Sequence, residues 1–279
     1  KLALGTGGLM GVVSILTSVA FGLPEYGEQK KEEANSGEMI TYVTRERVLV
    51  TDEELIESMY KARVDELFDD FLYCYIRDTM LQAERTCLQE DSLGNSVVEL
   101  ASDEFDFMRG DYTSVIYSHE QDNYMNEDTT LQNAFLEKID LLNQQIRSYS
   151  FTKNKGRWKL NAVKNLSFEE SDMADFLKFY SKFSSDESFQ NKSLARSIHI
   201  SMAAPDDDGQ TIEGFVDREQ WPTLSSGVPS GVISNIRYGQ NYKNATRIYI
   251  EKMSMGDGMC ESFFFRKNRR KWELSGYEN

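Results

Sequence analysis

Aromatic and aliphatic residues recur at three- and four-residue steps in two stretches of this chain. Leu55, Met59, Leu67, Phe68, Phe71, Leu72 and Tyr75 make the first; Met173, Phe176, Phe179, Tyr180 and Phe183 make the second. That period places apolar side chains on one face of an α-helix. Thr51-Asp52-Glu53-Glu54 supplies a cap and first-turn acids for the first stretch, and Ser171-Asp172 precedes the second. Elsewhere the period is two. Tyr149 and Phe151 alternate with polar residues, Asn154-Lys155-Gly156 turns, and Trp158 and Leu160 resume. Phe263, Phe265, a turn near Asn268, Trp272 and Leu274 follow the same plan. Ile198, Ile200 and Met202 also alternate, with a turn after Pro205 and a return through Ile212 to Val216.

These patterns are the same pattern met twice. The run from Ala134 to Leu160 overlies the run from Ile248 to Leu274 at an ungapped offset of 114. Glu137-Lys138 meets Glu251-Lys252, Phe151 meets Phe265, and Trp158 meets Trp272. Upstream, Phe68, Phe71, Tyr75, Asp78 and Gln82 meet Phe176, Phe179, Phe183, Asp186 and Gln190 at an offset of 108. Each half therefore reads as helices first and strands afterwards, an α+β plan. The expected boundaries are an apolar segment at 1–23, a charged linker at 24–50, and repeats at 51–166 and 167–279.

Residues 2–23 carry no charge, and Ser18-Val19-Ala20 offers small residues suited to signal peptidase. The segment also has the length to span the ~30 Å core of a bilayer. Export to the periplasm or cell envelope is the expectation, with a retained anchor as the other reading. The only membrane contact expected is through this segment.

At 40% hydrophobic and 12% aromatic, the chain has material for real cores. A net charge of −15 repels phosphate backbones, so nucleic acid is not an expected partner. Cys74, Cys87 and Cys260 contain no paired spacing, and with two histidines they assemble no zinc site. Neither a metal nor another cofactor is expected. The Asp-Asp-Asp-Gly run at 206–209 lacks the acids of a calcium loop and reads as a turn.

The frame F-x₂-F-x₃-F-x₂-D-x₃-Q, the mid-domain Trp221 and the closing K-x₃-W-x-L hairpin resemble domain of unknown function family 4348. In the first half, Glu104-Phe105-Asp106-Phe107 stands where Trp221 does in the second. The resemblance implies exported proteins of gut-dwelling Gram-negative bacteria. It also implies two tandem nuclear transport factor 2-like (cystatin-like) cones, each with helices packed on a curved antiparallel sheet.

Such cones can enclose a pocket, so the titratable residues matter. Asp78 and Asp186 recur in both halves, which favours a cap over a general base, because what both halves share is the fold. His199 sits between Ile198 and Ile200 and faces away from them; His119 enters a polar loop. No third group at readable spacing completes a triad. His199, Asp186 and Asp78 are the ligand-site candidates, and no catalytic residue is assigned. Lys267, Arg269, Arg270 and Lys271 form a basic tip on an acidic chain, suited to an anionic surface. The aromatic load of both helical stripes points to plugged cones. The first expectation is a non-catalytic binding or scaffold module engaging a protein, glycan or small ligand of the envelope. The alternative is a small-molecule enzyme, an isomerase, dehydratase or hydrolase, using one cone as a pocket.

Overall fold

The computed structural model describes residues 64–88, 100–118, 120–204, 210–224, 227–256 and 258–279. The segments 1–23 and 24–50, the Thr51–Glu54 cap, His119 and the 206–209 turn lie outside them. Chain order gives α1 (Phe68–Tyr75), α2 (Thr79–Arg85), β1 (Tyr112–Tyr117), β2 (Asn133–Asp140), β3 (Gln145–Asn154) and β4 (Arg157–Ser167). There follow α3 (Ala174–Ser185), α4 (Glu187–Lys192), β5 (Leu194–Ala203), β6 (Thr211–Asp217) and α5 (Trp221–Leu224). Strands β7 (Val232–Arg237), β8 (Arg247–Ser254), β9 (Cys260–Asn268) and β10 (Lys271–Glu278) close the chain.

The strands build two sheets, ordered β4-β3-β2-β7 and β1-β8-β9-β10-β5-β6. Every ladder is antiparallel except β10–β5, which is parallel, so the second sheet is mixed rather than purely antiparallel as expected. Helices α3 and α4 carry the chain from β4 of the other sheet to β5, and β6, α5 and β7–β9 intervene before β10 lies beside β5 in the same direction.

Each sheet wraps a helix pair. Phe68 packs edge-on against Trp158 with centroids 4.9 Å apart, and Phe176 against Trp272 at 5.2 Å. Phe151 takes Phe68 and Tyr75 at 5.3 and 5.5 Å, while Phe265 takes Phe176 and Phe183 at 5.4 and 5.2 Å. The curvature has a local cause. An extra residue, Asn161, sits between the pairs Ser150↔Ala162 and Phe151↔Leu160. Ser275 does the same beside Phe265↔Leu274. A bulge bends and twists the strand that carries it, here around the aromatic helix.

Within the described residues, helix α1 begins at Phe68 after a break in helical geometry. Leu67 has extended backbone angles, and Asp65 is turned inward. Its carboxylate accepts from the Trp158 backbone N–H at 2.9 Å and receives the Arg85 guanidinium on both oxygens at 3.0 Å. That anchor holds the chain out of helical geometry just before Phe68.

The two sheets do not divide at 166/167. Strand β1 leaves the first half and pairs with β8, while β7 leaves the second half and pairs with β2. The registers match. Tyr117 lies opposite Tyr249 and Tyr112 opposite Ser254, while Arg237 lies opposite Phe135 and Val232 opposite Asp140. Subtracting 114 from the β8 positions returns the β2 positions, and β1 maps onto β7 at an offset of 120. Residues 50–279 accordingly form one unit. Adjacent residues of β1 serve opposite cores: Ile116 packs with Phe176 and Phe265, and Tyr117 with Phe68 and Trp158.

Candidate functional site: an acidic cleft beside helix α1

Helix α1 buries Phe68, Phe71, Leu72 and Tyr75. Asp69, Leu72, Tyr73 and Ile76 form its flank toward the exchanged strand. Together with Met108, Thr113, Ile236, Met253 and Met255 they line a cleft of about 320 Å³, within the usual range for small-molecule sites. Arg77, Ser254 and Gly258 complete the rim.

The cleft exists because of particular side chains. At the offset of 108, Asp69 and Leu72 stand where α3 carries Leu177 and Tyr180; at 120, Thr113 stands where β7 carries Ile233. Leu177, Tyr180 and Ile233 are all buried, and the Tyr180 hydroxyl donates to the Pro229 carbonyl at 2.7 Å. Ile139 and Leu141, fully covered there, correspond to Met253 and Met255, which stand open on this side. Smaller or polar residues at three positions thus leave space that the other half fills.

Asp69 brings a carboxylate into this largely apolar wall. Burial pushes its carboxyl up to about 6; the Tyr238 hydroxyl opposes this, and the charges of Asp70 and Glu251 reinforce it. Tyr238 donates to both carboxylate oxygens, at 2.7 and 2.9 Å. Burial holds the Tyr238 phenol well above its usual range, so it stays a donor. Among the described residues no lysine or arginine pairs with Asp69.

Glu251 lies one strand step deeper, on the same face of β8 as Met253. Burial raises its carboxyl, and Cys260 donates to it; the Cys260 thiol is pushed up to about 11 by burial and the neighbouring carboxylate. Its counterpart at the 114 offset, Glu137, is also raised by burial but is neutralised locally. Asn235 donates to Glu137 at 2.8 Å and Arg237 approaches at 3.5 Å. At the positions matching Asn235 and Arg237, the first half has Val115 and Tyr117. Glu251 therefore faces a phenol where Glu137 faces a guanidinium.

The residues singled out from sequence lie elsewhere. Asp78 caps α2, accepting from the Met80 and Leu81 N–H groups at 2.8 and 3.2 Å. Asp186 caps α4 through Phe189 at 2.9 Å. Gln82 and Gln190 tie back to the carbonyls of Tyr75 and Phe183. All four serve helix ends. His199 lies on β5 with its ring 5.3 Å from that of exposed Phe215, on the side away from the core. At the basic tip, Lys267 is engaged by Asp175 at 2.7 Å and lies over the Trp272 ring. Arg269, Arg270 and Lys271 are exposed around the turn. The three cysteines form no disulfide. No cluster of metal ligands occurs among the described residues. None of their helices is long and apolar enough to cross a membrane.

Sequence reasoning missed Asp69 and Glu251. The signal was present in the self-alignment: an acid at 69 faces a leucine at 177, and a glutamate repeated at 137 and 251 has an arginine on one side only.

Residues 48–279 match the family model Domain of unknown function (DUF4348). The chain belongs to that family. A solved structure described as an NTF2-like protein from Bacteroides fragilis NCTC 9343 superposes with a TM-score of 0.68 at 28% identity. The match covers 77% of this chain and 96% of that one, so the fold is nuclear transport factor 2-like. No curated protein matches the chain.

Proposed function

We propose that this DUF4348 protein is a non-catalytic binding module, built as two nuclear transport factor 2-like cones in tandem and knitted by exchanged strands. The observation that carries this reading is the asymmetry of the cones. Aromatic rings fill both interiors, yet the flank of α1 keeps a cleft of about 320 Å³ where the flank of α3 is filled by Leu177, Tyr180 and Ile233. An open apolar cleft with a half-buried carboxylate sacrifices burial that the same fold achieves a hundred residues later, a common cost of a binding site. The uncharged segment 2–23 and the net charge of −15 support a place in the periplasm or envelope.

The enzymatic alternative rests on one feature, a carboxyl near pH 6 that could take a proton. The lining is dominated by Leu72, Ile76, Met108, Ile236, Met253 and Met255, which favours binding over turnover.

Ligand screening by methyl resonances tests the reading. Hits should move Leu72, Ile76 and Met253, and Leu72→Tyr should abolish them by restoring the ring that α3 carries. Hits that survive Leu72→Tyr, or map to another surface, would reject the cleft as the site; chemical conversion of a hit would favour the enzyme.

A further inference from the structure

We infer that the cleft beside α1 takes an apolar molecule bearing an ammonium group, with the cation seated on Asp69. The inference rests on the cleft being the binding site and adds the class of ligand.

The walls select an apolar body: Leu72, Ile76, Met108, Ile236, Met253 and Met255 offer no fixed hydrogen bond to a sugar or nucleotide. The floor selects a positive charge. Asp69 lies in the wall itself and Glu251 behind it, and neither has a cationic partner among the described residues. Asp70 adds a third negative charge from the same helix. The other groups packed around the site do not cancel this field. Tyr117 on β1 and Tyr238 after β7 are neutral phenols, and Cys260 on β9 is a neutral thiol hydrogen-bonded to Glu251.

Two arginines stand at the mouth, and both are engaged. Arg77 lies over the Tyr73 ring at 3.7 Å and donates to the Tyr73 carbonyl at 3.1 Å. Arg109 pairs with Asp106 at 3.0 Å and donates to the Ile76 carbonyl. Neither pairs with Asp69.

Glu137 is a buried carboxylate in the same ladder position, and there the chain supplies Arg237 and Asn235. At the matching positions near Glu251 it supplies Tyr117 and Val115. Among the described residues, the ion pair that the fold makes to Glu137 beside the filled flank is not made to Asp69 or Glu251 beside the open cleft. An ammonium ligand completes the pair, and its apolar body replaces the contacts that Leu177, Tyr180 and Ile233 make in the other half.

Calorimetric titration with three compounds of one shape tests this: 2-phenylethylammonium, 2-phenylethanol and 3-phenylpropanoate. The ammonium should bind at least about tenfold tighter than the alcohol at about pH 7.5, and the carboxylate least well. Asp69→Asn, which keeps a hydrogen-bond acceptor for Tyr238, should remove the advantage of the ammonium over the alcohol. Between about pH 7.5 and pH 5 the wild-type affinity for the ammonium should fall about tenfold as Asp69 takes up a proton. Equal binding of ammonium and alcohol, both lost in Leu72→Tyr, would overturn the ligand class and leave the cleft standing. An ammonium advantage that persists in Asp69→Asn would overturn Asp69 as the seat of the cation. Failure of all three compounds to bind in a manner sensitive to Leu72→Tyr would overturn both.

Discussion

The hydroxyls of Ser114 and Ser234 each bond to the other residue's backbone across the two exchanged strands. Ser234 Oγ accepts from the Ser114 N–H at 2.7 Å and donates to the Ser114 carbonyl at 2.9 Å; Ser114 Oγ donates to the Ser234 carbonyl at 2.7 Å. The two residues are 120 apart, the offset that maps β1 onto β7, so they mark the point where the two sheets meet their own image. Ser234→Ala should cost about 1–3 kcal/mol, because it strands a buried N–H. Ser114→Ala should cost less, since it removes a donor from a carbonyl that Ser234 does not need for its own N–H. Urea unfolding should show one transition in both variants; two separate transitions would mean the halves fold independently despite the exchange.

Asp69 links the cleft to stability. Its folded carboxyl titrates near 6 against an ordinary value of 3.8, so the folded state binds the proton more tightly than the unfolded chain does. The sign follows directly: this group's contribution is fully present at low pH and is lost as pH rises from about 4 to about 6. The size is of order 2–3 kcal/mol. The difference in stability between wild type and Asp69→Asn should widen over that window in favour of the variant. Asp69→Leu, which copies Leu177, should stabilise further at neutral pH while closing the site. Thermal melts across pH check both, and a flat difference would remove the case for a raised carboxyl.

The Asp65–Arg85 pair is buried, with both side chains about 6% exposed. Arg85 also donates to the Trp158 carbonyl at 3.2 Å. Asp65→Ala leaves a guanidinium without its counterion and the Trp158 N–H without its acceptor, a loss of about 3–5 kcal/mol. Chemical denaturation would measure it; a change under about 1 kcal/mol would show that water reaches the guanidinium.

The two closing hairpins turn through left-handed residues, Lys155 and Gly156 in one and Arg269 and Arg270 in the other. Arg270 has φ of 68°, where a side chain is strained and glycine is not. Arg270→Gly should raise stability by about 0.5–1 kcal/mol. Arg269→Glu combined with Arg270→Glu should leave the melting temperature nearly unchanged, because both side chains are exposed. If that pair of charges nonetheless abolished binding to anionic matrices, the tip would be an interaction site in its own right.

Much of the fold was readable because it is local. The step of Phe176, Tyr180 and Phe183 placed α3, the Tyr149/Phe151 alternation placed β3, and Asn154-Lys155-Gly156 placed its turn. Asp78 and Asp186 read as caps for the same reason: a cap is decided within a few residues. Strand exchange was not readable, since β1 and β7 carry ordinary strand patterns and nothing local says which sheet receives them. The cleft was hidden for a related reason. Asp69 lies beside the aromatic stripe, and only the strands contributed by the other half decide whether that flank is covered. Glu251 repeats Glu137 in sequence, and its missing counterion becomes visible only when Tyr117 is placed opposite the strand that carries it.

The exchange of β1 and β7 also sets an order in time. When the ribosome has delivered β2, β3 and β4, the edge of β2 has no partner until Val232–Arg237 arrives. The intervening ~65 residues take roughly 3–13 s at ~5–20 residues per second, during which an unpaired strand edge awaits completion. The nascent chain thus spends about a quarter of its synthesis in a state that must be kept from pairing with a neighbour, and roughly its last sixth is what releases it from that risk.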